Sequence, residues 1–359
     1  MPAKHGVKEA CMVLQLSESN IIGTIIAFIL GLFIVPVVIL YSEKMGLMDN
    51  PGERKIHSHP VSRLGGISIW LCTILSLVSI ILFTHYPHRK LLSGLILGSS
   101  LMFLLGLIDD IYALKAKFKF IIQITIASIV FCLGVKISSI YIPVLGMVNL
   151  PPVLSYIGTI AWITGISNAV NFIDGVDGLA GSVIAVSSVT LGLISLVHGD
   201  AVSALIAFIL AGSMLGFLAY NFHPAKIFMG DSGALFAGFL LATLSIMYQM
   251  KTPDITMYVP LLVLAVPIFD IVFSSVRRII KGISPFVADA EHIHHKLLKF
   301  GLSQNKAVLV LVAFSVIMGA VATLIAATDT IKYFLYAVVL SSVMIILNIY
   351  ARYERKNEE

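Results

Sequence analysis

The sequence predicts an all-α fold, a polytopic membrane bundle of about eleven transmembrane helices, and three observations predict it. Hydrophobic residues make up 58% of the 359-residue chain and charged residues only 12%. A soluble domain carries about 25% charged residues, so much of this surface must face lipid. Apolar runs of roughly the 20 residues that a hydrocarbon core demands recur at 21–41, 65–84, 91–108, 119–135, 152–170, 179–197, 201–220, 233–250, 255–276, 306–327 and 332–350. None sustains strand alternation, and lipid admits only helices or closed barrels.

The loops between these runs fall into two alternating sets. One set, 42–64, 109–118, 171–178, 221–232, 277–305 and the tail from 351, holds fifteen Lys and Arg; the other holds six. The positive-inside rule places the richer set in the cytoplasm, with the N-terminus outside and the C-terminus inside. The same distribution turns the net charge of +5 away from a nucleic-acid partner, because the positives lie in short loops between apolar runs. One catalytic domain over 21–352 is expected, between a tail at 1–20 and a charged cytoplasmic tail at 353–359. The segment around Pro143, Pro151 and Pro152 reads as an irregular external loop. Cys11, Cys72 and Cys132 lack metal or pairing spacing, and the latter two read as small core residues.

Nearly every unusual polar residue falls in the cytoplasmic set, at helix ends rather than mid-span. Asp109-Asp110 closes the third span, where acids oppose the helix dipole and need a cation nearby. Asn168, Asn171, Asp174 and Asp177 follow at intervals of three. At about 100° per residue a straight helix cannot aim the first and last at one point. Gly175 and Gly178 are therefore expected to break it and turn Asp174 and Asp177 inward. The run from Asn221 through His223, Lys226 and Phe228 to Asp231-Ser232 precedes a new helix, whose N-terminus favours phosphate. His292, His294 and His295 suit phosphate oxygens or zinc, which would need a fourth ligand. The first loop offers Lys55, His57 and Arg63 for anion binding. Asp270, Ser274 and Arg277, at i, i+4 and i+7, read as a structural ion-pair stripe.

Carboxylates without cysteine suit a hard cation, Mg²⁺ or Mn²⁺. With basic residues and histidines around them, they suit a substrate carrying several phosphates, and phosphoryl transfer rests on alignment and charge stabilisation. A site at the lipid boundary suggests that one reactant is a lipid phosphate.

Arg54-Lys55-Ile-His57 to Arg63-Leu-Gly-Gly, Gly-Leu-Ile-Asp109-Asp110, Asn168-Ala-Val-Asn171-Phe-Ile-Asp174-Gly-Val-Asp177-Gly, Ala-Lys226-Ile-Phe-Met-Gly-Asp231-Ser-Gly and Glu-His292-Ile-His294-His295 stand in that order. Together they resemble the polyprenyl-phosphate N-acetylhexosamine-1-phosphate transferases, over about residues 21–305. Ile293 interrupts the histidines, which is similar to the WecA/TagO branch using UDP-GlcNAc; members using UDP-MurNAc-pentapeptide carry three consecutive histidines. The resemblance implies Mg²⁺, a UDP-N-acetylhexosamine donor, a polyprenyl phosphate acceptor, UMP as leaving product and a lipid-linked sugar that initiates cell-envelope polysaccharide or teichoic acid synthesis. It implies a plasma-membrane enzyme with Asp231 and Asn171 on the metal-diphosphate. Asp109 and Asp110 would stand by the lipid phosphate, with Lys119 as companion. Asp177 and Phe228 would meet the uridine, and His292, His294 and His295 the diphosphate or sugar. Lys55, His57, Arg63, Asn168 and Lys226 complete the expected substrate contacts, with Asp174 among the catalytic acids. A homodimer is one option for the assembly. Two other classes fit less well. An intramembrane aspartyl protease would need glycine where Phe228 stands, and a transporter would place its charges at mid-span.

Overall fold

The apolar runs among the described residues become helices, because a chain in lipid must satisfy its own backbone polar groups. The computed structural model describes residues 2–49, 60–83, 89–142, 145–251, 258–280, 282 and 292–328. In chain order the helices are α1 (Pro2–Lys44), α2 (Gly65–Phe83), α3 (Arg89–Tyr112), α4 (Ala116–Cys132), α5 (Pro152–Ile173), α6 (Leu179–Val197), α7 (Ala201–Asn221), α8 (Gly230–Lys251), α9 (Tyr258–Val263), α10 (Ala265–Ile280), α11 (Ile293–Lys299) and α12 (Gln304–Ala327). Two antiparallel hairpins join them, β1 (Met48–Asp49) with β2 (Val61–Ser62), and β3 (Ser139–Ile142) with β4 (Gly146–Asn149).

Among the described residues, eight helices are long and apolar enough to cross a membrane. The expected span 119–135 is the 17-residue α4. The expected span 255–276 is broken at Leu264 into α9 and α10, and 332–350 lies outside the described residues. Residues 2–20, expected as a tail, continue the first span as helix, so that α1 runs for 43 residues. Its first turns are rich in Ala, Lys, Glu, Met, Leu and Gln, all good helix formers. The expected irregular loop is the β3–β4 hairpin, in which Ile140 faces Val148 and Tyr141 faces Met147. Pro152 opens α5, where a missing N–H breaks no bond. Cys72 is buried as expected, whereas Cys132 is exposed at the end of α4.

The bundle is built around α8, which packs on α2, α3, α5 and α6. Lipid tails are as apolar as Leu, so close packing and buried polar pairs hold such helices together. On α1 and α7, Gly31 and Gly216 let the backbones touch: a Cβ on Gly31 would lie 2.8 Å from the Gly216 Cα. Hydroxyls and indoles pair between helices. Thr73 donates to Ser213 at 2.9 Å, Trp70 to Ser100 at 3.0 Å and Trp162 to Ser245 at 2.9 Å.

Two prolines create a further demand. A proline inside a helix leaves the carbonyl four residues earlier without its N–H donor. Pro36 frees the Leu32 carbonyl in α1, and Tyr220 Oη of α7 donates to it at 2.9 Å. Pro267 frees the Val263 carbonyl at the α9–α10 break, and Ser187 Oγ of α6 donates to it at 2.9 Å. The break in the ninth expected span is thus stabilised by a neighbouring helix.

Removing the Tyr220 hydroxyl leaves the Leu32 carbonyl unsatisfied, at a cost of about 1–2 kcal/mol. Tyr220→Phe should lower the melting temperature in detergent. In a Pro36→Ala background, where the substituted residue supplies the missing N–H, the same change should cost almost nothing. Equal losses in both backgrounds would exclude this pairing.

Candidate active site

The site begins at the junction of α3 and α8. Gly106 lies one turn before Asp110, and a Cβ there would meet the Asp231 carbonyl at 2.5 Å, so only glycine lets α3 come this close. Asp110 then reaches the start of α8. Its Oδ1 accepts from the Asp231 N–H at 2.8 Å, and its Oδ2 accepts from the Ser232 N–H at 3.0 Å and the Ser232 hydroxyl at 2.6 Å. The first turn of a helix leaves N–H groups without partners, and here the cap comes from a helix 121 residues earlier in the chain.

Asp109 faces the other way. Its Oδ1 accepts from the Leu114 N–H at 2.7 Å and its Oδ2 from Lys119 Nζ at 2.8 Å. Lys119, in the first turns of α4, also donates to Asp231 Oδ2, so one ammonium bridges carboxylates from α3 and α8. Asn171 of α5 stands beside Asp231. One turn below, Gln123 of α4 and Asn168 of α5 exchange amide hydrogen bonds at 2.6 and 3.3 Å.

Three loops close the site. α5 stops at Ile173, and Gly178, at φ 76°, turns the chain into α6. Asn221 holds this turn to the next loop, accepting from the Gly178 N–H at 3.0 Å and donating to the Ile227 carbonyl at 2.7 Å. Asp177 Oδ2 pairs with His223 Nδ1 at 2.9 Å and accepts from the Ala225 N–H at 3.2 Å. β2 is sewn to the same loop: the Phe228 N–H donates to the Ser62 carbonyl and the Gly65 N–H to the Phe228 carbonyl. Arg63, next in the chain, pairs with Asp49 of β1. Burial, then the negative charges of Asp231 and Asp110, push the Asp174 carboxyl well above the usual carboxylate range.

The histidines come from beyond α10. His292 Nδ1 lies 2.7 Å from Asp270 Oδ2, and its ring stacks on Phe172 of α5 at 5.8 Å. His294 is 2% exposed, and its Nε2 has no hydrogen-bond partner among the described residues. A Cβ on Gly175 would lie 2.8 Å from that nitrogen. Burial, aided by the charge of His295, pushes the His294 imidazole down to about 4.

A cavity of about 810 Å³ results, lined by Asp49, Arg63, Asp109, Asp110, Asn171, Asp174, Asp177, Asn221, His223, Phe228, Asp231, His295 and Gln304, among others. Every one of these comes from the loops and helix ends of the basic set. Lys119 stands behind the wall, bridging its acids. Other expected residues lie elsewhere. Asn168 is occupied by Gln123, because α5 runs unbroken past it and turns it towards α4. Lys226 lies outside the lining. His292 and His294 sit behind His295. Asp270, expected in a helical ion-pair stripe, turns its carboxylate to His292 and the Ile293 N–H. Lys55 and His57 lie outside the described residues. Asp49 and Gln304 line the cavity and are site residues that the sequence reading missed.

Two outcomes follow from this geometry. Asp110→Ala should cost about 1–3 kcal/mol of stability through loss of the α8 cap, while Asp109→Ala should cost less, because Lys119 keeps Asp231 as its partner. Equal melting shifts would remove the distinction. His294 is held uncharged in the folded state, with its value lowered from 6.5 to about 4. Its contribution is full above about pH 6.5 and is lost as pH falls towards 4, by up to roughly 3 kcal/mol. His294→Asn should flatten the melting curve over that window; unchanged acid sensitivity would count against it.

The sequence matches glycosyl transferase family 4 over residues 92–249. It is 33% identical over 299 residues to a probable undecaprenyl-phosphate N-acetylglucosaminyl 1-phosphate transferase of Bacillus subtilis, covering 82% of each chain. It is 33% identical over 328 residues to a decaprenyl-phosphate N-acetylglucosaminephosphotransferase of Mycobacterium leprae, covering 82% of this chain and 81% of that one. An undecaprenyl-phosphate alpha-N-acetylglucosaminyl 1-phosphate transferase of Salmonella typhi is 28% identical over 314 residues, covering 82% and 83%. Likeness at this level over four-fifths of both partners carries the family with it, and the chain belongs to the polyprenyl-phosphate N-acetylhexosamine-1-phosphate transferases.

Proposed function

We propose that the protein transfers N-acetylglucosamine-1-phosphate from UDP-GlcNAc to a polyprenyl phosphate and releases UMP, as the initiating step of a cell-envelope polysaccharide or teichoic acid. The observation that carries the reading is the convergence of Asp109 and Asp231, bridged from behind the wall by Lys119, on a cavity at one end of an apolar bundle. A water-soluble donor and a lipid acceptor can meet only at such a boundary. The names of the relatives support GlcNAc as the sugar. The excess of Lys and Arg in the loops at this end supports a plasma-membrane enzyme with its site on the cytoplasmic face.

The donor set fits a divalent cation, Mg²⁺ or Mn²⁺. Asp231, Asp174 and Asn171 offer hard oxygens, and burial, with the charges of Asp231 and Asp110 beside it, raises the Asp174 carboxyl, a shift that a bound cation would reverse. Among the described residues no three His, Cys, Asp or Glu form a metal cage. Mg²⁺ does not require one: it takes one or two carboxylates and completes its shell with phosphate and water. When bound, it would supply charge neutralisation to the diphosphate. In the proposed reaction a lipid phosphate oxygen attacks the phosphorus attached to the sugar. The bond to the bridging oxygen breaks, and the electron pair leaves on UMP. Asp109, oriented by the Leu114 N–H and Lys119, takes the remaining proton of the lipid phosphate. Arg63 and His295 face the donor from the cavity wall, and Phe228 with Asp177 the uridine.

Purified protein should release UMP from UDP-GlcNAc with polyprenyl phosphate and not from UDP-MurNAc-pentapeptide. Turnover of the pentapeptide donor alone would overturn the assignment. Asp109→Asn should lower turnover by about 10²–10⁴-fold while UDP-GlcNAc affinity stays within a few-fold. Asp231→Asn should weaken both, and calorimetry separates the two. Equal loss of donor binding would mean that the acids act as one cluster.

A further inference from the structure

We infer that Asp270 is a positioning residue for the transfer reaction: it docks the histidine segment onto the membrane bundle and so sets where His295 meets the cavity. Asp270 lies on the buried face of α10, which also carries Ser274 and Arg277, and is 2% exposed. A buried carboxylate in such a span is costly unless charge or hydrogen bonds compensate it. Here the compensation comes from the segment after α10. Asp270 Oδ1 accepts from the Ile293 N–H at 2.7 Å, and Oδ2 pairs with His292 Nδ1 at 2.7 Å. Both oxygens are thus committed to two consecutive residues of one short stretch.

That stretch reaches the cavity through a row of neighbouring rings. His292 lies 5.7 Å from His294, and His294 lies 4.3 Å from His295, which lines the wall. α11 has only seven residues, too few to hold its place by helix propensity alone. Fixing its start therefore fixes its direction. With Nδ1 given to Asp270, the His292 tautomer is also set, as a carboxylate sets the ring it holds. Asp270 is not itself part of the cavity lining, so it acts by position through this segment.

The kinetic arm of the test rests on the proposed transfer reaction; the structural arm does not. In full-length protein in detergent, Asp270→Ala should raise hydrogen exchange over 292–299 at least tenfold, with peptides of α5 and α8 unchanged. Turnover should fall about 10- to 100-fold with the UDP-GlcNAc KM within about threefold, since Asp174 and Asp231 stay in place. Asp270→Asn, which keeps an acceptor for the Ile293 N–H, should recover part of both. Adding His292→Ala to Asp270→Ala should cost little more than either alone, as expected for two groups acting as one unit. Unchanged exchange over 292–299 would overturn the inference, and so would faster exchange throughout the protein, which would mark Asp270 as a general core residue. Absence of UMP release by the wild type would instead refute the transfer reading, while the exchange result would still decide the docking role.

Discussion

Asp110 accepts three hydrogen bonds from the first turn of α8, and the geometry of the site hangs on that junction. An acid at the end of its own helix opposes that helix's dipole, which makes Asp109-Asp110 an uneasy pair when only α3 is considered. The start of another helix reverses the balance, because its N–H groups and positive dipole end face the carboxylate. Asp110 is stabilised by α8, and α8 is held in register with α3. Asp231 is thereby brought beside Asp109, and Lys119 joins the two. One residue of the acidic pair is spent on architecture and its neighbour is left facing the cavity.

The membrane imposes the same rule on the rest of the bundle. Water cannot rescue a backbone carbonyl within lipid, so each proline inside a span needs a donor from a neighbour. Tyr220 serves Pro36 and Ser187 serves Pro267 in this way. The second of these lies next to α10, which packs on α5 and carries Asp270 to the histidine segment.

Charge sets the chemistry that remains. Asp49, Asp109, Asp110, Asp174, Asp177 and Asp231 all line one cavity, against Arg63, His223 and His295 in the wall and Lys119 behind it. Such an excess of acid is poorly suited to a diphosphate by itself and well suited to a diphosphate that arrives with a divalent cation.

The sequence alone determined the class of fold, because apolar length and loop charge are local properties that lipid reads directly. It also marked most of the cavity acids, since carboxylates and amides at the ends of apolar runs are conspicuous. It could not assign them their partners. That Asp110 caps α8, that Lys119 bridges Asp109 to Asp231, and that Asn168 belongs to Gln123 are contacts that span 45 to 122 positions of the chain. Spacing within one helix says nothing of them; helix packing decides them. Asp270 shows the limit most clearly. Its i, i+4, i+7 stripe reads as a self-contained ion pair, yet the folded chain brings His292 and Ile293 back to the same carboxylate, where the short α11 begins. Apolar length and loop charge marked which residues stand at the helix ends, and only the tertiary structure decided what each of them would find there.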